Sequence, residues 1–305
     1  MDRRLPSKDE IAGYLKDRSN WGRWPDNPSA GTTNLITPAK RREAAGLVRT
    51  GQTVSLSRAL PTEPAPDNPQ PVQQFVKTIE VSDDVGAAMD YLGVFQHGFS
   101  VTHIDALSHF WDADGMFEGH DPNTALTFDG AKFGGVEAWR DGIVTRGVLL
   151  DVPKQRGGDF VRMDTPVHGW ELEEIVAAEG ITLEPGDAVI IHCGREQYAE
   201  ANGGYYAPIG EPYPGLDGST LPFFKDNDVG LLVWDMEDAA PNQYDLPVTV
   251  HGAINAYGLA MVDNALLEPL ANACEATGRY EFMLVCAPLV FEGGTGSPVN
   301  PLAIF

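Results

Sequence analysis

Five apolar runs, at residues 146–151, 187–193, 230–234, 258–262 and 282–289, have the length of strands and are set apart by polar or Gly- and Pro-punctuated segments. Weaker strand patterns fall at 53–56, 75–81 and 91–101, and helical spacing fits 169–179, 250–257 and 266–278. Ser7 and Glu10 have the spacing of a capping box, which opens a helix running to about Ser19, and a second helix fits 38–48. With many strands, few helices and no internal repeat, the expected fold is mixed α/β. It is one domain over 1–305, with a barrel-like core sheet, outer helices and long functional loops. Residues 1–50 read as a helical and loop extension packed on that domain, and the Pro-rich stretch 61–71 as a surface loop rather than a boundary.

The 305 residues are 43% hydrophobic and 21% charged, enough apolar content to close a core and too much for a disordered chain. Lys and Arg number 21 against 44 Asp and Glu, a net charge of -23. Such a surface repels nucleic acid and anionic bilayers, so the expected partner is a small molecule. The three cysteines, Cys193, Cys274 and Cys286, show neither zinc-ribbon spacing nor the density of a disulfide scaffold. Reduced thiols in a cytoplasmic protein are expected. The longest apolar stretch, around 283–291, is roughly half of a bilayer span, so no membrane anchor is expected.

Three of the seven histidines fall within residues 96–111, QHGFSVTHIDALSHFW. His103 and Asp105 stand two apart, and His97 and His109 lie six residues to either side of His103. On an extended chain all four point to one face. An imidazole and a carboxylate at adjacent positions of one face suit a divalent ion of the zinc, manganese or iron type. Burying three imidazoles and a carboxylate on an apolar strand would otherwise cost several kcal/mol.

The segment 102–109, THIDALSH, resembles the signature H-x-G-T-H-x-D-x-P-x-H of the cyclase-like metal hydrolases, the group that holds bacterial kynurenine formamidases and isatin hydrolases. WGRW and TTNLIT near the N-terminus and GTGSPVNPLAIF at the C-terminus resemble the longer actinobacterial members. The resemblance implies a swivelling β/β/α fold, a homo-oligomer (dimer or tetramer) and zinc or manganese held by His103 and Asp105. It makes His109 the proton carrier and supplies further ligands from a distal histidine and an acid twelve residues on. Here these are His251 and Asp263, an aspartate where the family has glutamate. The signature's first histidine falls on Phe99, its glycine on Val101 and its proline on Leu107. His97 is either the substitute ligand or a substrate contact, and a single metal is expected.

The activity implied is hydrolysis of the C–N bond of a small amide, formamide or lactam, with an ester or lactone close behind. Metal-activated water would attack and His109 would carry the proton. The order His103, Asp105, His251 also matches the facial triad of a non-haem iron oxygenase, and a metal-free small-molecule binder is a third reading. Trp21, Trp24, Phe99, Trp111 and His192 are candidate substrate contacts, the aromatic ones suiting a flat, mostly apolar molecule. Asp235, at the end of an apolar run, is a candidate for orienting a ligand histidine. His120 and His168 read as surface residues, Cys193 as inert, and the Gly-rich segment 291–301 as a tight turn.

Overall fold

The computed structural model describes residues 3–205, 212–246 and 249–305. Met1 and Asp2, the first residues of the expected N-terminal extension, lie outside them. The core is one curled, half-barrel sheet of nine strands. In chain order these are β1 (Thr53–Ser55), β2 (His103–Asp105), β3 (Ile143–Asp151), β4 (Ala188–His192), β5 (Leu231–Trp234), β6 (Ala260–Asp263), β7 (Glu281–Cys286), β8 (Gly296–Pro298) and β9 (Leu302–Ile304). Across the sheet they run β1-β9-β7-β3-β4-β5-β6-β2-β8.

The central four, β3 to β6, are mutually parallel, and the strands on either side join antiparallel. Parallel neighbours need crossovers, and helices Gly169–Ala178, Arg195–Asn202, Leu221–Asp226 and Gly252–Tyr257 lie in them. Helices cover such strands on both faces, which is why β4 and β5 read as unbroken apolar runs, and all of their residues are buried.

The N-terminal helix, Lys8–Asp17, carries the expected capping box between Ser7 and Glu10. Beyond it the chain follows the core closely. Asn20 N donates to Ala256 O at 2.9 Å and Thr32 N to Gly258 O at 2.8 Å. Gly31 has φ +55°, and a Cβ there would stand 2.1 Å from Gly258 O, so only glycine allows this approach.

The structure departs from the sequence reading at three places. The strand expected over 91–101 is the second arm of a hairpin, Gln73–Ser82 with Val85–Gly93, and residues 94–102 are irregular before β2 begins. The Gly-rich segment 291–301 makes its turn at 292–293 but also contributes β8, which pairs with β2 and was not expected. Helix Arg195–Asn202 went unrecognised because its sequence, REQYAEAN, has little apolar periodicity. Among the described residues no helix is long and apolar enough to cross a membrane.

Candidate metal centre

Strand β2 lies between β6 and β8, and its antiparallel register sets His103 directly opposite Asp263 and Asp105 opposite Met261. Opposed residues share a face of the sheet, as do residues two apart, so His103, Asp105 and Asp263 project together. Helix Gly252–Tyr257 then packs in the crossover before β6. His251 caps its N-terminus and so sits beside Asp263, the last residue of β6.

Asp105 is the hub, fully buried. His97 Nδ1 stands 2.9 Å and His103 Nε2 3.3 Å from its Oδ1. His109 Nε2 and His251 Nε2 lie 3.7 and 3.9 Å from its Oδ2. His251 Nε2 is 3.1 Å from Asp263 Oδ2, which is itself 3.9 Å from His103 Nε2. Two groups able to hold a metal result, His97 with His103 and Asp105, and Asp105 with His251 and Asp263. Within each, the ligand atoms lie within 4.8 Å of one another.

The polar bookkeeping fits a cation at this place. Both carboxylate oxygens of Asp105 and the Nδ1 of His97 are buried without a hydrogen bond, the short His97 to Asp105 distance lacking hydrogen-bond geometry. A buried carboxylate with two idle oxygens is costly, and a metal ion satisfies both together with the facing imidazoles.

Neighbouring groups orient these side chains. His103 Nδ1 meets Val101 O at 2.8 Å, which turns Nε2 inward. Asp238 accepts from His251 Nδ1 and does the same for that ring, while the Trp234 indole N–H donates to Asp263 Oδ1. Asp235, a candidate for orienting a histidine, accepts from the backbone N–H groups of Cys193, Gly194 and Arg195 at 2.8, 3.0 and 3.2 Å, a structural role. It anchors the start of the following helix, and Asp238, three residues on, holds the histidine.

Charge follows from this packing. Burial works against ionisation of Asp105, yet His109, His103 and His97 around it hold its carboxyl well below the usual range. Burial also opposes the charged form of His103, but Asp105 and Asp263 raise it to about 9, and Asp263 and Asp238 likewise raise His251. His109 goes the other way. Burial, with His97 and His251 close by, pushes it down to about 4 despite Asp105, leaving a neutral imidazole at pH 7. Its ring stacks on His97 with centroids 3.8 Å apart, and it belongs to neither metal-holding group. Glu237, unremarked in the sequence, is buried beside this cluster, and burial and Asp263 push it up to about 8.

Trp21 and Trp111 line a cavity of about 850 Å³ together with Phe110, whose ring centroid is 6.3 Å from that of His251. Trp24 packs on the core beneath the Arg23 guanidinium, Phe99 packs edge-on to Tyr205 and Tyr213, and His192 Nδ1 lies 3.2 Å from Asp151 Oδ1 at the ends of β4 and β3. His120 is exposed against Phe133. His168, expected at the surface, is half-buried, with Nδ1 3.0 Å from Ser219 Oγ. Cys193 is buried, and its thiol is pushed well up by burial and by Asp235, which agrees with an inert cysteine.

No curated protein matches the chain in sequence. Among solved structures it is similar to one described as a novel cyclase, at 27% identity and TM-score 0.82, over 95% of this chain and 99% of that one. It also shares its fold with an isatin hydrolase bound to the product analogue thioisatinate (16% identity, TM-score 0.58, 88% and 97% covered). A third similar structure is isatin hydrolase A of Ralstonia solanacearum (16% identity, TM-score 0.56, 86% and 93% covered). The Cyclase family model matches residues 47–240, which take in β2 with its His-x-Asp pair and most of the parallel core. The chain belongs to the Cyclase family.

Proposed function

We propose that the protein is a metal-dependent hydrolase that cleaves the C–N bond of a small amide, formamide or lactam, or the corresponding ester or lactone. The observation that carries this reading is the buried Asp105 carboxylate, with both oxygens free of hydrogen bonds and four histidines and Asp263 converging on it. His97, His103, Asp105, His251 and Asp263 are the proposed ligands of zinc or manganese. When bound, such an ion supplies a Lewis acid for the carbonyl oxygen and lowers the pKa of water beside it.

The chain's own residues do the rest. His109, neutral at pH 7 and turned toward Asp105, is placed to accept a proton at Nε2 from the attacking water and return it to the leaving nitrogen. Trp21, Phe110 and Trp111 offer apolar walls beside the cluster, which suits a flat substrate. The facial-triad alternative uses only His103, Asp105 and His251, whereas here Asp263 stands nearer to His251 than Asp105 does and adds a second carboxylate.

Elemental analysis of the purified protein, followed by a screen of formamides, lactams and lactones before and after chelation, tests the proposal. Hydrolysis that disappears on chelation and returns with zinc or manganese is the expected result. A protein that purifies without divalent metal and takes none up would overturn it.

A further inference from the structure

The cavity of about 850 Å³ that Trp21, Phe110 and Trp111 line is bounded by three pieces of chain: the N-terminal segment through Ala12, Leu15 and Lys16, the turn at Ala113, and the helix Gly252–Tyr257. None of the proposed metal ligands lines it. Phe110 connects the two places. It follows His109 in the chain, lines the cavity and stands with its ring centroid 6.3 Å from that of His251.

The N-terminal wall precedes the segment 47–240 that places the chain in its family, and it is firmly held. A capping box opens helix Lys8–Asp17, Ile11 is fully buried, and Tyr257 Oη donates to Tyr14 O at 2.8 Å. A Cβ on Gly252 would stand 3.0 Å from the Leu15 side chain, so this helix lies close against the one that His251 caps. The Trp21 indole N–H donates to Asn255 O at 2.7 Å.

Size and charge define what fits. Ligand cavities span about 300–1,000 Å³, so this one has room for far more than a formyl or acetyl group. Polar groups on its wall are already paired within the protein, the Trp21 indole as above and Ser19 Oγ with Ala256 O at 3.0 Å. The charged residues lining it, among those described, are Lys16, Asp112 and Asp114. Lys16 Nζ stands 3.5 Å from Asp114 Oδ2, which leaves the charge of Asp112 unbalanced. In a chain of net charge -23 such a wall disfavours an anion.

We propose that the cavity holds an uncharged apolar body of the substrate, about the size of a fused aromatic ring pair, and that helix Lys8–Asp17 sets the limit of that size. This rests on the hydrolase reading above, in which the reacting bond lies at the cluster and the body extends past Phe110 into the cavity.

Ala12 and Ala113 are exposed residues on two different walls, so Ala12→Trp and Ala113→Trp should each fill the cavity while circular dichroism stays unchanged. In metal-free protein, fluorescence titration with N-phenyl-1-naphthylamine should show binding that each substitution weakens at least about tenfold. The anionic analogue 8-anilino-1-naphthalenesulfonate should show no binding that either substitution alters. In metal-loaded protein, the preference in kcat/KM for N-formyl-2-naphthylamine over formamide should fall at least about tenfold in both variants. Neutral-probe binding that is absent, or indifferent to both substitutions, overturns the proposal, as does substitution-sensitive binding of the anionic probe. An unchanged preference with probe binding lost also overturns it, because the cavity would then hold something other than substrate. Probe binding lost in both variants of a protein that hydrolyses neither formamide would count against the hydrolase reading and support the cavity as a site for such a body.

Discussion

The sharpest prediction concerns Asp238→Asn. One buried carboxylate accepts from Thr249 N at 2.7 Å, Thr249 Oγ1 at 2.9 Å, Val250 N, and both His251 N at 3.3 Å and His251 Nδ1. Asparagine keeps the shape and one oxygen. If that oxygen stays with Thr249 and Val250, the amide NH₂ faces two His251 donors. The ring can then recover only by moving its proton to Nε2, the atom that points at Asp105 and Asp263. A protonated Nε2 cannot be a ligand.

Two charge-assisted bonds are lost, at about 1.5–3 kcal/mol each, so the metal-free fold should weaken by about 3–6 kcal/mol. Loss of an outer partner of a ligand histidine should weaken metal binding by about 10- to 100-fold. Urea unfolding reads the first effect, and competition with a chromogenic chelator at fixed pH reads the second. Asp235→Asn is the control. Asp235 is equally buried and accepts from three backbone N–H groups, but its bonds reach no ligand histidine. It should cost stability and leave metal affinity nearly unchanged. Metal affinity within twofold of wild type in Asp238→Asn, or an equal loss in Asp235→Asn, would refute the reasoning.

His109→Ala should lower turnover by about 10²- to 10⁴-fold with bound metal retained, and loss of the metal together with activity would make His109 a ligand instead. The Phe99 departure led to an expectation of one ion, but with His97 beside Asp105 the geometry offers two three-ligand positions, so mass spectrometry should find two ions per chain and one in His97→Ala. Gly296→Ala should act in the same direction, because a methyl there would stand 2.6 Å from His97 Cε1; an unaltered ion count in both variants would remove His97 from the site. In metal-free protein His103, at about 9, and His251, raised above its usual range, are protonated at pH 7 and must lose those protons to bind metal. Affinity should thus rise with pH toward about 9, and calorimetry in buffers of different ionisation enthalpy should show more than one proton released per chain at pH 7, with zero release counting against the assignment.

The parallel core was legible because buried strands must be apolar on both faces, a pattern that survives any tertiary detail. Part of the site was legible for an equally local reason. His103-x-Asp105 is a strand pair, and the interval from His251 to Asp263 is one short helix, a turn and one short strand. His97 reaches Asp105 too, but from the irregular segment 94–102 and not along an extended face, so alternation along a strand does not explain its place. Asp238 was hidden for the opposite reason. In WDMEDAAP three acids follow the strand end, and only the bend of the chain decides that the third reaches His251 while the first turns to the loop of Cys193. Gly296 carried no signal either, since its need for hydrogen in place of a side chain arises from a histidine almost two hundred residues away.

The proposed ligand set also has a way to survive folding before a metal arrives. Asp105 buried alone would cost several kcal/mol. His103 and His251 offset this by holding protons in the metal-free chain, so the cluster enters the core as carboxylates facing imidazolium groups rather than as bare charge. A divalent ion bound at the proposed site would replace those protons and take over the charge balance that they supplied. His109 is exempt from the exchange: burial and the nearby His97 and His251 keep its ring neutral, so it remains able to accept a proton while the imidazoles around it are committed. The carboxylates facing His103 and His251 make those rings hold protons against their burial, whereas at His109 burial prevails and leaves a histidine free to move a proton.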